Sequence, residues 1–429
     1  MDTKKFLTLS CMIVALVMSI SSSALAIGNT LEAFEDGPIF EADPMDESEM
    51  DGPVRLDSCS EINLYSKQTP LVDIPIYEQG ETYLCYAYSV AQMVEFSLRK
   101  TGEWQKNFGS DSHMNVLWAA LAYKTGSGLG IRIKKNTLGS GFFQTAYQDL
   151  VERGVCDPSV IEKSMADFKG KSELSDPDFI YVFEALWALR SSGGVSAAGV
   201  DNLLASDDLK RMTTRIFPSG GLSRMREEVL KIRDQVMAIP SSVFQNNKRI
   251  DFYTDVVFPA CAGSSVKAVN LPGTREMGLG FASRAKLKRN IDEVLDSHDP
   301  SPITVGYCSG IYHTEDPERM EKASRRRALL PRFFRAFDEK NCSTHYSLIV
   351  GRKRSSKTGK CEYLIRNTMG RDFWTRKSSC LCEKSDGSGF EECSYDPVLS
   401  PKSDRVVGCY IDELPLLNSI YDLVFFDQK

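Results

Sequence analysis

Histidine is scarce in this sequence, and the glycine-rich motifs that hold nucleotides are missing. The 429 residues include four histidines, at positions 113, 298, 313 and 345. No G-x-G-x-x-G segment occurs, and GSGLGI at 126–131 neither follows a predicted strand nor opens a predicted helix. We therefore expect no phosphate-binding loop and no cofactor.

Long apolar runs are missing beyond the N-terminus. Lys4 and Lys5 precede an apolar stretch that serines interrupt, and Ala24-Leu25-Ala26 has the small residues of a signal cleavage site. No later segment approaches the ~18 apolar residues that a membrane span requires. We interpret residues 1–26 as a signal peptide rather than an anchor, which predicts a secreted or periplasmic protein with no membrane span in the mature chain.

Positive charge is not in excess either. The formal net charge is -6 at pH 7, which gives no case for nucleic acid as a partner. Residues 27–60 contain ten acidic residues and one arginine, whereas SRRRALLPRFFR at 324–335 contains five arginines. We consider an intramolecular contact between these two segments. The alternatives are a solvated tail and a solvated loop, or a basic loop that engages anionic substrates.

Cysteine is plentiful and its number is uneven. Twelve cysteines minus Cys11 of the signal peptide leave eleven, so at least one thiol is unpaired in an oxidising compartment. The C-terminal region is crowded with five of them, which suggests a lobe stapled by disulfides. A zinc site is the alternative, but no histidine lies nearby and C-L-C is not the usual C-x-x-C knuckle, so we expect no metal.

Cys85 stands out among the cysteines because it opens a predicted helix. The segment CYAYSVAQMVEFSLRK, residues 85–100, has no glycine or proline and has apolar residues at helical spacing. The unpaired N–H groups and positive dipole end at a helix N-terminus favour a thiolate, the nucleophilic form of cysteine. A buried thiol or a disulfide end is the plainer interpretation of this position alone.

A histidine and an asparagine are predicted to meet on a β-hairpin later in the chain. HYSLIVG and EYLIRN are two alternating apolar runs separated by the turn-forming RSSKTGK. The index sum of His345 and Asn367 is 712, which sets the two residues roughly opposite each other across the hairpin. A cysteine nucleophile needs such a base, and the base needs a third group that fixes its ring.

Gln79 lies six residues before Cys85. Acyl transfer by a thiolate develops an oxyanion, which a side-chain amide and the backbone N–H of the nucleophile can stabilise together. The spacing of this glutamine to Cys85 makes it a candidate for that role.

These four residues, in this order, resemble the papain-like cysteine peptidases, the family of papain and the cathepsins. Cys85-Tyr86-Ala87-Tyr88-Ser89 stands where the family has Cys-Trp-Ala-Phe-Ser, and 367–370, Asn-Thr-Met-Gly, stands where it has Asn-Ser-Trp-Gly. The resemblance implies an α+β, two-lobe fold with a helical left lobe and a right lobe of β-barrel type. Catalysis would be carried by Cys85, His345, Asn367 and Gln79.

The resemblance also implies contacts with substrate and reveals departures. Gly80, Ser140, Gly141 and Thr344 would line the cleft and bind the substrate backbone. Thr82 replaces a cysteine of the family, and the usual partner of that cysteine is also absent, so one family disulfide is lost. Tyr86 and Met369 replace two tryptophans, the second of which shields the Asn–His hydrogen bond in the family.

The distance along the chain points to an insertion. Cys85 and His345 are 260 residues apart, against the ~130 to 150 expected for papain relatives. We predict a signal peptide at 1–26, an acidic pro-like segment at 27–69, a left lobe at 70–163, a mostly helical insertion at 164–267 and a right lobe with a cysteine-rich end at 268–429. The insertion could gate the cleft, bind a partner or thicken the scaffold.

The function expected from this sequence is hydrolysis of peptide or protein substrates through a thioester on Cys85. One alternative is a papain-fold binding or inhibitory module without catalysis, which the presence of all four catalytic residues disfavours. Another is a cell-wall amidase or transpeptidase on the same fold, whose members usually lack the Asn-Ser/Thr-x-Gly signature.

Overall fold

The computed structural model describes most of the chain after the acidic segment. Its ranges are 59–66, 69–80, 82–126, 137–193, 195–218, 221–242, 249–263, 265–277, 284–309, 344–368, 378–395 and 406–427. The signal segment, residues 27–58, the basic segment 324–335, His313 and Met369 lie outside these ranges. The contact between the acidic and basic segments therefore stays a prediction.

Helices occupy the N-terminal two thirds of the described chain. The α-helices are α1 (Cys85–Lys100), α2 (Glu103–Phe108), α3 (Val116–Thr125), α4 (Phe143–Arg153), α5 (Pro158–Lys169), α6 (Asp176–Ser191), α7 (Ala197–Leu204), α8 (Asp207–Ile216), α9 (Gly221–Ala238), α10 (Arg249–Phe252), α11 (Arg284–Leu295) and α12 (Glu413–Ser419). Shorter 3-10 turns span Pro70–Asp73 and Pro259–Ala262, with a π turn at Tyr253–Val257.

The helix α1 has the bounds that its sequence predicts. Its apolar positions Ala87, Val90, Val94 and Leu98 are all fully buried. At its start, Leu84 makes no side-chain capping hydrogen bond, so the first N–H groups of the helix are not satisfied by a cap. The helix therefore runs through the core and presents an uncapped N-terminus at Cys85.

Antiparallel strands dominate the C-terminal part. The strands are β1 (Ile62–Asn63), β2 (Val155–Cys156), β3 (Val266–Lys267), β4 (Thr274–Glu276), β5 (Ile303–Cys308), β6 (Thr344–Arg354), β7 (Cys361–Arg366), β8 (Ser378–Glu383), β9 (Phe390–Tyr395), β10 (Val406–Asp412) and β11 (Ile420–Phe426). The main sheet has the order β4-β11-β5-β6-β7-β10-β8-β9, with β1 added beside β6, and β2 pairs with β3 separately. The fold is thus mixed α and β with an antiparallel sheet.

The main sheet is covered on both faces. Alternate residues of β6 point into different clusters, because side chains alternate across a strand. Leu348 and Val350 join the large core that contains α1, whereas Ile349 joins a second core formed with α11 and α12. The strand that carries His345 is consequently fixed from both sides.

The helices between residues 158 and 252 pack into the same core as α1. Their apolar side chains stack as a cluster of aromatic rings: Phe168, Phe179, Phe183, Trp187, Phe252 and Tyr253. Sequence periodicity predicts helices at 178–190 and 222–238, and α6 and α9 cover both segments. The disulfide Cys156–Cys261 joins the two ends of this helical region.

Disulfide bonds link distant parts of the chain and strands of the C-terminal region. The pairs whose two members are both described are Cys59–Cys361, Cys156–Cys261, Cys380–Cys409 and Cys382–Cys393. The cysteine-rich C-terminal region is thus held by disulfides. Within the described ranges, no helix combines the length and apolarity needed to cross a membrane.

Candidate active site

Cys85 is a free thiol at the N-terminus of α1. The other cysteines in the described part of the chain are disulfide-bonded, Cys308 included. The odd cysteine count predicts an unpaired thiol without identifying it. The structure identifies it as the cysteine at the start of the helix.

The sulfur of Cys85 lies between its own helix and strand β6. Hydrogen bonds from the backbone amides of Tyr346, Tyr86 and Cys85 itself lower the pKa of the thiol. Desolvation is the larger effect and raises that pKa to about 11. The sequence predicts that the helix terminus favours a thiolate. The structure adds a burial that outweighs this stabilisation, so the neutral thiol is the favoured form at pH 7.

His345 lies on β6, the strand that contributes one of these amides. Tyr346 follows His345 directly, so the amide that reaches the sulfur belongs to the residue after the histidine. The Nε2 atom of His345 lies 2.6 Å from Oδ1 of Asn367, and both side chains are buried. Because Oδ1 is an acceptor, the bond places the ring proton on Nε2 and leaves Nδ1 as the basic nitrogen.

The asparagine oxygen is held by two further donors. It accepts from the backbone N–H of Thr368 at 2.8 Å and from Oγ of Ser347 at 3.4 Å. Tyr421 also donates to the backbone carbonyl of His345 at 3.3 Å. These bonds fix both the amide orientation of Asn367 and the strand position of the histidine.

The hairpin register differs from the one predicted. Leu348 pairs with Arg366, an index sum of 714, and the pairing shifts between Ile349 and Gly351. Asn367 is therefore in line with Ser347 rather than opposite His345, which contradicts the sum of 712. The side chains of 345 and 347 share one face of the strand, so Asn367 still reaches the imidazole diagonally.

Gln79 is tied to the residue that follows Asn367. Its backbone N–H donates to the carbonyl of Thr368 at 2.7 Å, and its side-chain Oε1 accepts from the Thr368 hydroxyl at 2.9 Å. Because the hydroxyl occupies the acceptor end, the Nε2 donors of the amide are directed to another partner. Sequence reasoning found Thr368 in the motif at 367–370 but missed its contact with Gln79, since no sequence signal indicates a contact across 289 positions.

The residues predicted to bind substrate differ in how closely they pack beside Cys85. Ser140 has φ 62° and donates its amide to the carbonyl of Tyr83 at 3.0 Å, two residues before the nucleophile. A methyl group added to Gly141 would lie 2.6 Å from the ring of Tyr86, so this glycine permits close approach beside Cys85. Thr344 is exposed at the start of β6.

Gly80 has a packing role of its own. Its φ is 55°, and a methyl group added there would lie 2.8 Å from the carboxylate of Asp178 on α6. Arg215 bonds both Asp178 and Glu78 around this glycine. The structure thus explains Gly80 without a substrate, and its contact with substrate stays a prediction.

The remaining described histidines are away from the thiol. His113 bonds Oε1 of Glu95 at 2.8 Å, in a buried network that includes Arg99 and Tyr77 beneath α1. His298 is exposed, as predicted from its polar surroundings. Within the described ranges, no group of three or more His, Cys, Asp or Glu side chains could hold a metal ion.

No protein-family model matches this chain, and no curated protein matches it significantly. A function for this chain is therefore inferred from its residues and their geometry.

Proposed function

We propose that this protein is a secreted, papain-like cysteine peptidase with a helical insertion, and that it cleaves peptide bonds through a thioester on Cys85. The observation that carries the proposal is the position of the free thiol. It lies between the uncapped start of α1 and the amide of Tyr346, beside a histidine whose other nitrogen is bonded to Asn367.

The chemistry begins with proton transfer from Cys85 to Nδ1 of His345. The sulfur attacks the peptide carbonyl carbon, and the backbone N–H of Cys85 and Nε2 of Gln79 donate to the oxyanion. When the C–N bond breaks, His345 gives its proton to the leaving amine, and the acyl group remains on sulfur as a thioester. A water then loses a proton to His345 and attacks the thioester, which releases the acid and regenerates the thiol.

Neighbouring residues hold His345 and Gln79 in position for these steps. Asn367 accepts from the protonated Nε2 and holds the ring as its charge changes, as the third group of a catalytic triad does. Thr368 holds the acceptor end of Gln79, so the amide donors need not reorganise when the oxyanion forms.

The decisive experiment compares the mature chain with its Cys85→Ala variant on a peptide library. We expect the variant to lose at least about a thousandfold in kcat/KM while keeping the far-ultraviolet circular dichroism of the wild type. Equal cleavage by both proteins would contradict the proposal. Cleavage of peptidoglycan by the wild type without any cleavage of linear peptides would favour the amidase or transpeptidase alternative.

A further inference from the structure

A pocket of about 240 Å³ lies beside the loop that precedes Cys85. One wall is formed by the residues just before the nucleophile and by the segment that ends at Ser140. The helical region between residues 158 and 252 forms the other wall, through Ile180, Tyr181, Glu184 and Arg249. The pocket is therefore shared between the catalytic loop and the insertion.

Arg249 brings an unsatisfied donor to this pocket. The residue is 7% exposed, and among the described residues its Nε has no hydrogen-bond partner. Oε2 of Glu184 lies 3.9 Å from a terminal nitrogen of the guanidinium, which is beyond hydrogen-bond distance. Nε itself is enclosed by protein, so the part of the guanidinium that a ligand in the pocket can reach is its terminal nitrogens, beside Glu184.

Glu184 supplies an acceptor on the same wall. Its Oε1 accepts from the backbone N–H of Leu138 at 2.9 Å, which anchors the carboxylate across the pocket. Its Oε2 is on the side of Arg249. The lining thus contains one cation and one anion, so a charged ligand would bury an uncompensated charge, whereas a neutral group with both a donor and an acceptor would not.

We propose that this pocket binds a carboxamide side chain, glutamine or asparagine, of the peptide substrate beside the scissile bond. This inference rests on the peptidase function proposed above. The amide oxygen accepts from a terminal N–H of Arg249, and the amide nitrogen donates to Oε2 of Glu184. Tyr181 and Ile180 cover the methylene part of the side chain.

The position of the pocket relative to the nucleophile supports this assignment. Ser140 donates to the carbonyl of Tyr83, and Lys124 donates to the carbonyls of Gly139 and Ser140 at 3.0 and 2.6 Å. These bonds fasten the catalytic wall of the pocket to the chain two residues before Cys85. The chain that leads to Cys85 thus forms one wall of the pocket, and we expect the side chain of a substrate residue next to the scissile bond to enter it.

The test uses short peptides in which Gln, Glu or Lys occupies each position in turn. Cleavage is measured with the mature chain, and binding is measured by fluorescence anisotropy with the Cys85→Ala chain. At one position we expect Gln to exceed Lys and Glu by at least about fivefold, because the other residues leave a buried group unpaired or a charge uncompensated.

Two variants each remove one of the two charges and give the pocket a net charge of opposite sign. Glu184→Gln keeps an acceptor for Leu138 and leaves Arg249 unopposed, so the preference at that position should move toward Glu by at least about fivefold. Arg249→Met leaves Glu184 unopposed and should move it toward Lys. Glu173→Gln is the matched control, because it makes the same change on an exposed ion pair of the insertion and should leave the profile unchanged.

The outcomes separate this inference from the proposed activity. Cleavage with a profile that Glu184→Gln leaves unchanged overturns the pocket assignment and retains the peptidase. Glutamine-selective binding by the Cys85→Ala chain, with no cleavage by the wild type, overturns the peptidase and retains the site. Absence of both overturns both. If Arg249→Met fails to fold, Glu184→Gln decides the question.

Discussion

At the residue scale, the reactivity of Cys85 depends on its base. Burial raises the pKa of the thiol to about 11, so a thiolate formed by simple ionisation would be rare at neutral pH. Proton transfer to His345 offers another route, in which the two charges form together. Thiolate in the wild type should therefore exist near pH 6, where the imidazole can carry the proton.

The wild type and a variant without His345 should therefore differ in how the rate of thiol alkylation depends on pH. Wild-type Cys85 should react with iodoacetamide at a rate that is nearly constant between about pH 6 and 8. In His345→Ala the rate at pH 7 should fall on the order of a hundredfold and then rise about tenfold per pH unit up to about pH 11. The rate is measured by mass spectrometry of the modified chain.

The control for this measurement is His298→Ala, which removes an exposed histidine. It should keep the profile of the wild type. A His345→Ala protein that retains rapid alkylation at pH 6 would show that the thiolate is stabilised without the imidazole, which would contradict the proposed proton transfer.

The contact between His345 and Asn367 shows which features of the site could be predicted from the sequence and which could not. The two apolar runs and the turn between them indicate a hairpin, and the structure contains it as β6 and β7. The register could not be derived, because it depends on where the turn is centred: Arg354 pairs with Cys361, a sum of 715, and the shift between Ile349 and Gly351 changes that sum only to 714. The contact survives because neighbouring positions on one strand face can both reach the same amide.

At the scale of elements, Arg366 connects β7 with the segment that leads to Gln79. Its guanidinium is buried and donates to Oε1 of Gln92 on α1 at 2.5 Å and to the carbonyls of Ile74 and Pro75 at 2.6 Å each. It also bonds the hydroxyl of Tyr65. One side chain thus joins the sheet, α1 and the segment that precedes Gln79.

Arg366→Met should destabilise the protein by about 3 kcal/mol or more, since it leaves several buried acceptors unpaired. The loss is measured as the free energy of unfolding in urea. Arg224→Met removes an arginine from a half-exposed ion pair and should change that free energy by no more than about 1 kcal/mol. Similar losses in the two variants would contradict the proposed connecting role.

Long-range contacts such as those of Arg366 could not be predicted from the sequence, because they depend on tertiary packing. The helix α1 follows from local periodicity, so its bounds could be predicted. Arg366 and Thr368 act through partners 274 to 301 positions away, and Glu184 meets Arg249 only after the helical region between them folds. No spacing rule applies to pairs that are brought together by tertiary packing alone.

At the scale of the molecule, the helical region between residues 158 and 252 is not a separate body. Phe183 and Val229 of this region belong to the same hydrophobic core as Val90 of α1. The region is therefore packed directly against the helix that begins at Cys85. This packing also explains how side chains from α6 and α10 can form a pocket wall beside the loop that precedes Cys85.

The disulfide Cys156–Cys261 closes a loop that contains most of the insertion. Its sequence separation is 105 residues, whereas Cys382–Cys393 closes a loop of 11. Loop-closure entropy predicts that replacing the first pair by alanine destabilises the protein by about 5 kcal/mol, and the second by about 3 kcal/mol. Both double variants are compared by urea unfolding monitored by tryptophan fluorescence and circular dichroism.

The same experiment tests the shared core. If the insertion and α1 form one cooperative unit, the two probes should give coincident transitions even after Cys156 and Cys261 are replaced. An early step that removes part of the helical circular dichroism, followed by a second step, would mean that the helical region between residues 158 and 252 unfolds alone once its ends are released. The pocket wall formed by this region would then be lost before α1 unfolds. Side-chain selectivity would disappear at a lower urea concentration than cleavage itself.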